Sequence, residues 1–377
     1  MAVESGAESD IPKISWQSQI ILTLSRVWAW AFLLTLITFF TISVLVTSEG
    51  GVNFLTVRTS MNILVAITPV LLMGLGQTFV IISSGIDLSV GWVMGLSSVV
   101  TALVVRDLAA SGMDVNLAIV IALSSGVLVG AIFGVINGLI IAKLKVPSFI
   151  VTLGMSFIAR GVALLVGGGM TIGGLPQALG TLGNESLFYL VRGGTHAGLY
   201  FLQRPELARE ELRSLDRIFT WPVVITAIVV AIAMFVLHKT RFGRHTYAIG
   251  GNKEASLRAG IPVDRHTILL YTMSAMTAGL AGALHTARFS GGDARAGEPL
   301  LLASIAAVII GGVSLFGGSG TIIGSVIGAL IVAVLQTGLI MLNTDPFWQF
   351  IVVGVVVILA VLIDQSRDLL IGRGEGH

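Results

Sequence analysis

The sequence predicts an all-α, polytopic membrane protein of about ten transmembrane helices, and three observations carry that prediction. Of its 377 residues, 55% are hydrophobic and only 11% charged, against the roughly 25% charge of soluble domains. The mean hydropathy is +0.95. Apolar runs of about 20 residues, the length that crosses a hydrocarbon core of about 30 Å, recur along the whole chain and disfavour both a barrel and an anchored soluble domain.

Bounded by charged, Gly or Pro residues, the runs give ten spans: 27–46, 61–82, 88–105, 116–142, 147–166, 220–238, 267–288, 299–312, 321–342 and 347–364. The first has full span length, and Glu4, Glu8 and Asp10 precede it, unlike the basic start of a cleaved signal peptide. GIDLSVG (85–91) separates the second and third spans, and GGVSLFGGSG (311–320) follows the short eighth. Both turns are candidate breaks inside the bilayer. Their settings, VIISSGIDLSVGWVMGL (80–96) and VIIGGVSLFGGSGTIIGSVIGAL (308–330), are similar, and a degenerate internal repeat would set two broken helices opposite one another around a pathway. Gly126, Gly130, Gly134 and Gly138 recur along the fourth span, as do Gly320, Gly324 and Gly328 at the start of the ninth. Such flat stripes let backbones approach, either within one subunit or across a homodimer seam.

Charge sets the orientation. With a cytoplasmic N-terminus, that side receives Lys13, Arg26, Lys143, Lys145, Lys239, Arg241, Arg244, Lys253, Arg258, Arg265, Arg367 and Arg373, against Arg58, Arg106, Arg288 and Arg295 opposite. Both termini are then cytoplasmic. Segment 167–219 is left out of the count, since loops of its length translocate largely regardless of charge and its five Arg match five acids. Trp28, Trp30, Trp92, Trp221 and Trp348 fall near span ends, as headgroup-layer indoles do. The organisation is a cytoplasmic tail (1–26), a membrane domain (27–364) with an extracytoplasmic insertion at about 184–219 and a polar cytoplasmic loop at 239–266, and a cytoplasmic C-terminal tail (365–377).

A net charge of +2 is too small to imply nucleic acid, and the absence of cysteine removes thiolate metal sites and cysteine nucleophiles. No catalytic or metal-ligating constellation is expected. Asp87 is the one acid plausibly at membrane depth; it fits an N-cap of the third span, a pathway residue or an ion site. Arg160 in the fifth span would pair with it or snorkel. Asn62, Gln77, Asn137, Ser314 and Gln336 lie on spans or at their ends, with Phe316 in the second Gly-rich turn. Each of the polar five suits interhelical bonding; as a set they suit a pathway for a neutral polyhydroxylated solute.

A transporter needs an energy source. None of the five lysines follows a glycine, so the chain lacks the phosphate-cradling G-x-x-x-x-G-K-[ST] loop. Coupling to an ion gradient usually calls for several buried carboxylates. With essentially one, an ion-coupled secondary transporter of a small neutral solute is the weaker alternative, and energy is expected through another protein. The polar run TRFGRHTYAIGGNKEASLRAGIPVDRHT (240–267) is where that protein would act. Asn252 suits an N-cap, residues 253–259 favour a helix of about two turns, Gly260 fits the C′ position and Pro262 stops continuation. So short a helix needs a partner's groove or its own loop to hold it; a solvated loop that merely sets orientation is the alternative.

EASLRAG (254–260) resembles the E-A-A-x-x-x-G coupling signature of ATP-binding-cassette importer permeases, with Ser256 for the second alanine. GRHTYAIGGNKEASLRAGI (243–261), together with GIDLSVG and GGVSLFGGSGTIIGSVIGAL, is similar to the ribose/xylose/galactose-type sugar permeases of that class, over about residues 60–175 and 220–364. The resemblance implies an importer permease fold in the inner membrane of a prokaryote, with membrane lipid, a second permease subunit (a homodimer) and an extracytoplasmic sugar-binding protein as partners. It also implies a cytoplasmic ATPase that carries ATP and Mg and docks on a coupling loop containing Gly250, Gly251, Asn252, Glu254, Ala255, Arg258 and Gly260. No cofactor is then bound by this chain. One departure stands out: the segment from about Asn184 to Thr220 is longer than the family pattern, and RPELAREELRSLDR (204–217) predicts an extramembrane helix starting at Pro205.

Overall fold

The computed structural model describes residues 16–48, 53–193, 196–208, 211–345 and 347–372. The tail acids Glu4, Glu8 and Asp10 and the basic residues Lys13 and Arg373 lie outside them, as do Arg209 and Glu210 of the insertion. All ten predicted spans are helices: α1 (Trp16–Thr47), α2 (Val57–Ile82), α3 (Val90–Ala110), α4 (Val115–Lys143), α5 (Ser148–Gly167), α7 (Trp221–Lys239), α10 (Val263–Phe289), α11 (Glu298–Ile310), α12 (Ile322–Met341) and α13 (Phe347–Gly372). Between them lie three short helices, α6 (Gln177–Asn184), α8 (Arg241–Gly251) and α9 (Lys253–Arg258). Among the described residues eight helices are long and apolar enough to cross a membrane. α11, at 13 residues, is only about 20 Å long, two-thirds of the hydrocarbon thickness.

Local chemistry sets several starts. The hydroxyls of Thr56 and Thr321 and the carboxylate of Asp114 accept amide hydrogens at the beginnings of α2, α12 and α4. Pro147 ends the turn before α5, and Pro222 occupies the first turn of α7, where a missing N–H costs nothing.

α10 is the hub, packed against α2, α3 and α4. The glycine stripe of α4 explains its closest contact: a Cβ on Gly130, Gly134 or Gly138 would collide with the α10 backbone at Ala275, Tyr271 or Ile268. Gly324 and Gly328 lie against α11 in the same way, at Gly311 and Ala307. Both stripes therefore pack within the chain. Gly320 is different; it sits in the preceding turn at φ +145°.

The connections sort to two ends. Residues 83–89, 144–147, 240–262 and 311–321 meet at one, where Gly318 N–H donates to Ile82 O (2.8 Å) and Thr152 Oγ1 to Ile86 O (3.3 Å). Residues 168–220 and 290–297 meet at the other, joined by a backbone bridge between Ile172 and Gly292. With the insertion set aside, the first end carries the excess of Lys and Arg. Its two Gly-rich turns touch each other instead of facing across an opening, which corrects the arrangement expected from an internal repeat.

The insertion is not helical after Pro205. Residues 204–208 are irregular and Glu211–Ser214 form one 3-10 turn. The segment is built instead on a three-stranded antiparallel sheet, β1 (Ser186–Val191), β2 (Gly198–Phe201) and β3 (Leu215–Thr220), in the order β2-β1-β3. SLFYLV and LDRIFT are β-branched and aromatic stretches that favour strands, and pairing them outweighs the weak helical signal of the interleaved charges between. Phe188 pairs with Phe201 and Ile218, and Tyr189 with Arg217. Asp216, buried, fixes the sheet to the bundle by accepting from Arg58 of α2 (3.1 Å) and Arg192 (2.6 Å).

Candidate coupling and translocation site

The polar run folds as two helices. α9 starts where Asn252 Oδ1 accepts from Ala255 N–H (2.9 Å), and it ends at Gly260, whose φ of +79° is the left-handed conformation that glycine adopts without strain. Buried Ser256 seats the helix. Glu254, Ala255, Leu257 and Arg258 face solvent, with Glu254 and Arg258 in a loose 3.6 Å pair. Propensity alone does not mark α8, because the three glycines of RFGRHTYAIGG weaken a helix. The i, i+3 spacing of its buried Gly243, Thr246 and Ile249 is the signal that would have found it.

α8 links this knob to the bundle. Thr246 Oγ1 bonds His266 Nε2 of α10 (2.9 Å) in a buried contact, and Phe242 stacks on the same ring with centroids 4.2 Å apart. Tyr247 donates its hydroxyl to Gly320 O (2.7 Å); burial raises that phenol above its usual pKa and keeps it a donor. Gly250 presses on the end of α2, where a Cβ would overlap Ile82 O. Ser84 Oγ lies 3.1 Å from Gly250 O and 2.9 Å from Phe316 O, within hydrogen-bond reach of both. α8 thus touches both Gly-rich turns directly, and the knob reaches them through it. Ser84, Tyr247 and Leu257 were missed by sequence reasoning, which had no means of seeing the turns converge.

Three of the seven candidate pathway residues come together just beyond the first turn. Asp87 is fully buried: Oδ1 accepts from Ser89 N–H (3.0 Å) and Ser89 Oγ (2.6 Å), and Oδ2 accepts from Ser274 Oγ of α10 (2.9 Å). Gln77 Nε2 donates to Asp87 O, and Asn137 Nδ2 donates to Ser89 Oγ (2.9 Å). The carboxylate therefore joins Ser89, the residue that starts α3, to α10, while Gln77 of α2 and Asn137 of α4 reach the same point through the Asp87 carbonyl and the Ser89 hydroxyl. Arg160 does not pair with it. Its guanidinium lies over the Trp92 ring, 4.8 Å from the centroid, and Trp92, in the first turn of α3, is buried in the bundle.

The other four are dispersed. Ser314 and Phe316 belong to the second turn, where Ser314 Oγ accepts from Phe316 N–H (3.3 Å) and the Phe316 ring is exposed. Asn62 lines a cavity of about 610 Å³ at the opposite end, and Gln336 lies half-buried on α12, apart from the rest. Among the described residues no group of three or more His, Cys, Asp or Glu is placed to hold a metal ion.

Residues 59–361 match the family described as branched-chain amino acid transport system / permease component. The chain is similar to the ribose import permease protein of Escherichia coli K12, with 37% identity over 316 residues, 84% of this chain and 88% of the relative. It is 36% identical to the fructose import permease protein of Rhizobium meliloti, over 84% of this chain and 80% of that one. With the xylose transport system permease protein of Haemophilus influenzae it shares 33% identity, over 85% and 92%. No solved structure matches the chain significantly.

Proposed function

This chain belongs to the family of branched-chain amino acid transport system permease components, and from that premise we infer that it is the membrane-spanning permease subunit of an ATP-driven importer that moves a monosaccharide across the cytoplasmic membrane. Its relatives are permeases for ribose, fructose and xylose, so a sugar is the solute in spite of the family's description. An ATPase subunit and an extracytoplasmic binding protein complete such an importer.

The observation that carries the mechanism is the route from α9 to both Gly-rich turns. The ATPase docks on the exposed face of α9 through Glu254, Ala255 and Arg258, with Leu257 entering its groove. Movement of α9 passes rigidly through α8, because Gly250 and Tyr247 leave no slack against Ile82, Ser84 and Gly320. The turn at 83–89 then shifts the Asp87 junction and with it the starts of α3 and the packing of α10, which alternates access. Both termini and the knob are cytoplasmic, two copies of the chain pair, and ATP and Mg stay on the ATPase.

Reconstitution tests this reading. Vesicles holding the permease, its ATPase and its binding protein take up a monosaccharide only when ATP is supplied on the knob's side. Uptake by this chain alone under a proton or sodium gradient would sink the proposal in favour of an ion-coupled transporter.

A further inference from the structure

At the end opposite the knob lie two adjoining recesses, one among the helices and one between them and the sheet. The larger, about 610 Å³, is formed among α2, α7, α10 and α11 and presents Asn62, Thr68, His285 and Arg288. The smaller, about 230 Å³, shares Asn62 and Arg288 with it and adds Arg58 and Arg217. Three guanidiniums therefore edge one space.

Their charge is poorly matched. Arg58 shares the single carboxylate of Asp216 with Arg192. Arg217 and Arg288 have no carboxylate within ion-pair distance among the described residues; both instead bond one neutral residue, Arg217 to Asn184 O (3.2 Å) and Arg288 to Asn184 Oδ1. A neutral oxygen satisfies a donor without cancelling its charge, so one half-buried cation, Arg288, and one exposed cation, Arg217, remain on the wall of a concave site. A planar guanidinium offers further donors in a fork that matches a carboxylate. The larger recess also holds His285, whose Nδ1 is buried without a hydrogen-bond partner.

We propose that this paired recess binds an acidic monosaccharide, a uronate or an aldonate, with its carboxylate at Arg217 and Arg288 and its hydroxyls toward Asn62, Thr68 and His285. The inference rests on the importer reading and narrows its solute class. Arg217 is carried by β3, so the sheet outside the spans supplies half of the carboxylate contact.

The test uses the purified full-length permease in phosphatidylcholine nanodiscs, with thermal unfolding followed against glucuronate and glucose. Glucuronate raises the melting temperature and glucose does not; the apparent affinity falls about tenfold in Arg217→Gln, partly recovers in Arg217→Lys, and weakens as salt screens the contact. No shift with glucuronate, or an equal shift with glucose, overturns the proposal. So does stabilisation that requires phosphatidylglycerol and ignores glucuronate, which would assign the guanidiniums to a lipid phosphate. ATP-dependent uptake by the assembled importer, measured in parallel, keeps each of these outcomes separate from failure of the importer reading.

Discussion

Gly250, near the end of α8, lies so close to the carbonyl oxygen of Ile82, the last residue of α2, that a methyl group on it has nowhere to go. Neighbouring Gly251 has open space around the same position. The pair makes a sharp comparison: Gly250→Ala forces α8 off the turn and costs about 1–3 kcal/mol, the range for overpacking, whereas Gly251→Ala is close to neutral. Melting temperature and ATP-driven uptake of the two variants, side by side, check this; equal behaviour would show that the contact transmits nothing.

Gly260 holds φ +79° at the end of α9. Gly260→Ala strains that conformation by about 1 kcal/mol, which frays the helix and lowers uptake, while Gly260→Pro abolishes it. Glu254→Arg also abolishes uptake, but with an unchanged melting temperature, since Glu254 is exposed and its one pair is loose. Membrane insertion is intact in all three by fractionation. Normal uptake in Glu254→Arg would remove α9 from the coupling path.

Asp87→Ala leaves Ser89 N–H and the hydroxyls of Ser89 and Ser274 without their acceptor, at roughly 1–3 kcal/mol for each buried donor left unpaired. Asp87→Asn keeps most of these bonds and most of the stability. Uptake that survives Asp87→Asn fits a structural junction; its complete loss together with gradient-driven transport by the wild-type chain supports an ion site.

Asp216 is the one acid held by both Arg58 and Arg192. Asp216→Ala unties the sheet from α2 at a cost of about 1–2 kcal/mol, below that of a fully buried pair because both arginines are half exposed. Limited proteolysis should then cut residues 192–214 faster with the spans left whole. An unchanged cleavage rate means that the sheet is held by packing alone.

With no cysteine in the sequence, single replacements report sidedness without background. Lys253→Cys, on the knob, is labelled by an impermeant maleimide only from the cytoplasmic side, and Gln203→Cys, in the insertion, only from outside. The reverse pattern inverts the whole topology and ends the coupling proposal.

Much of this was legible in the chain itself. A span must satisfy its own backbone in lipid, so the ten apolar runs are helices whatever surrounds them, and their ends lie within a few residues of the charges, Gly and Pro that bound them. Asn252 and Gly260 marked α9 because capping is local chemistry. The Pro205 helix failed for a related reason: β1 and β3 lie 23 residues apart between Val191 and Leu215, and a strand's stability resides in its partner, which linear propensity cannot see.

Sequence alone determined the ten apolar helices, the end that bears positive charge once the insertion is set aside, the absence of a nucleotide-binding loop and the short helix at 253–258, since each depends on residues near one another in the chain. Only the tertiary structure decided that Ser84, Gly250 and Phe316 meet, that Gln77, Asp87 and Asn137 form one buried junction with Ser274, and that Arg217 lies beside Arg288. Those groups are brought together by close helix packing on glycine faces and by the half-exposed ion pairs of Asp216, contacts between distant residues that local preference does not encode.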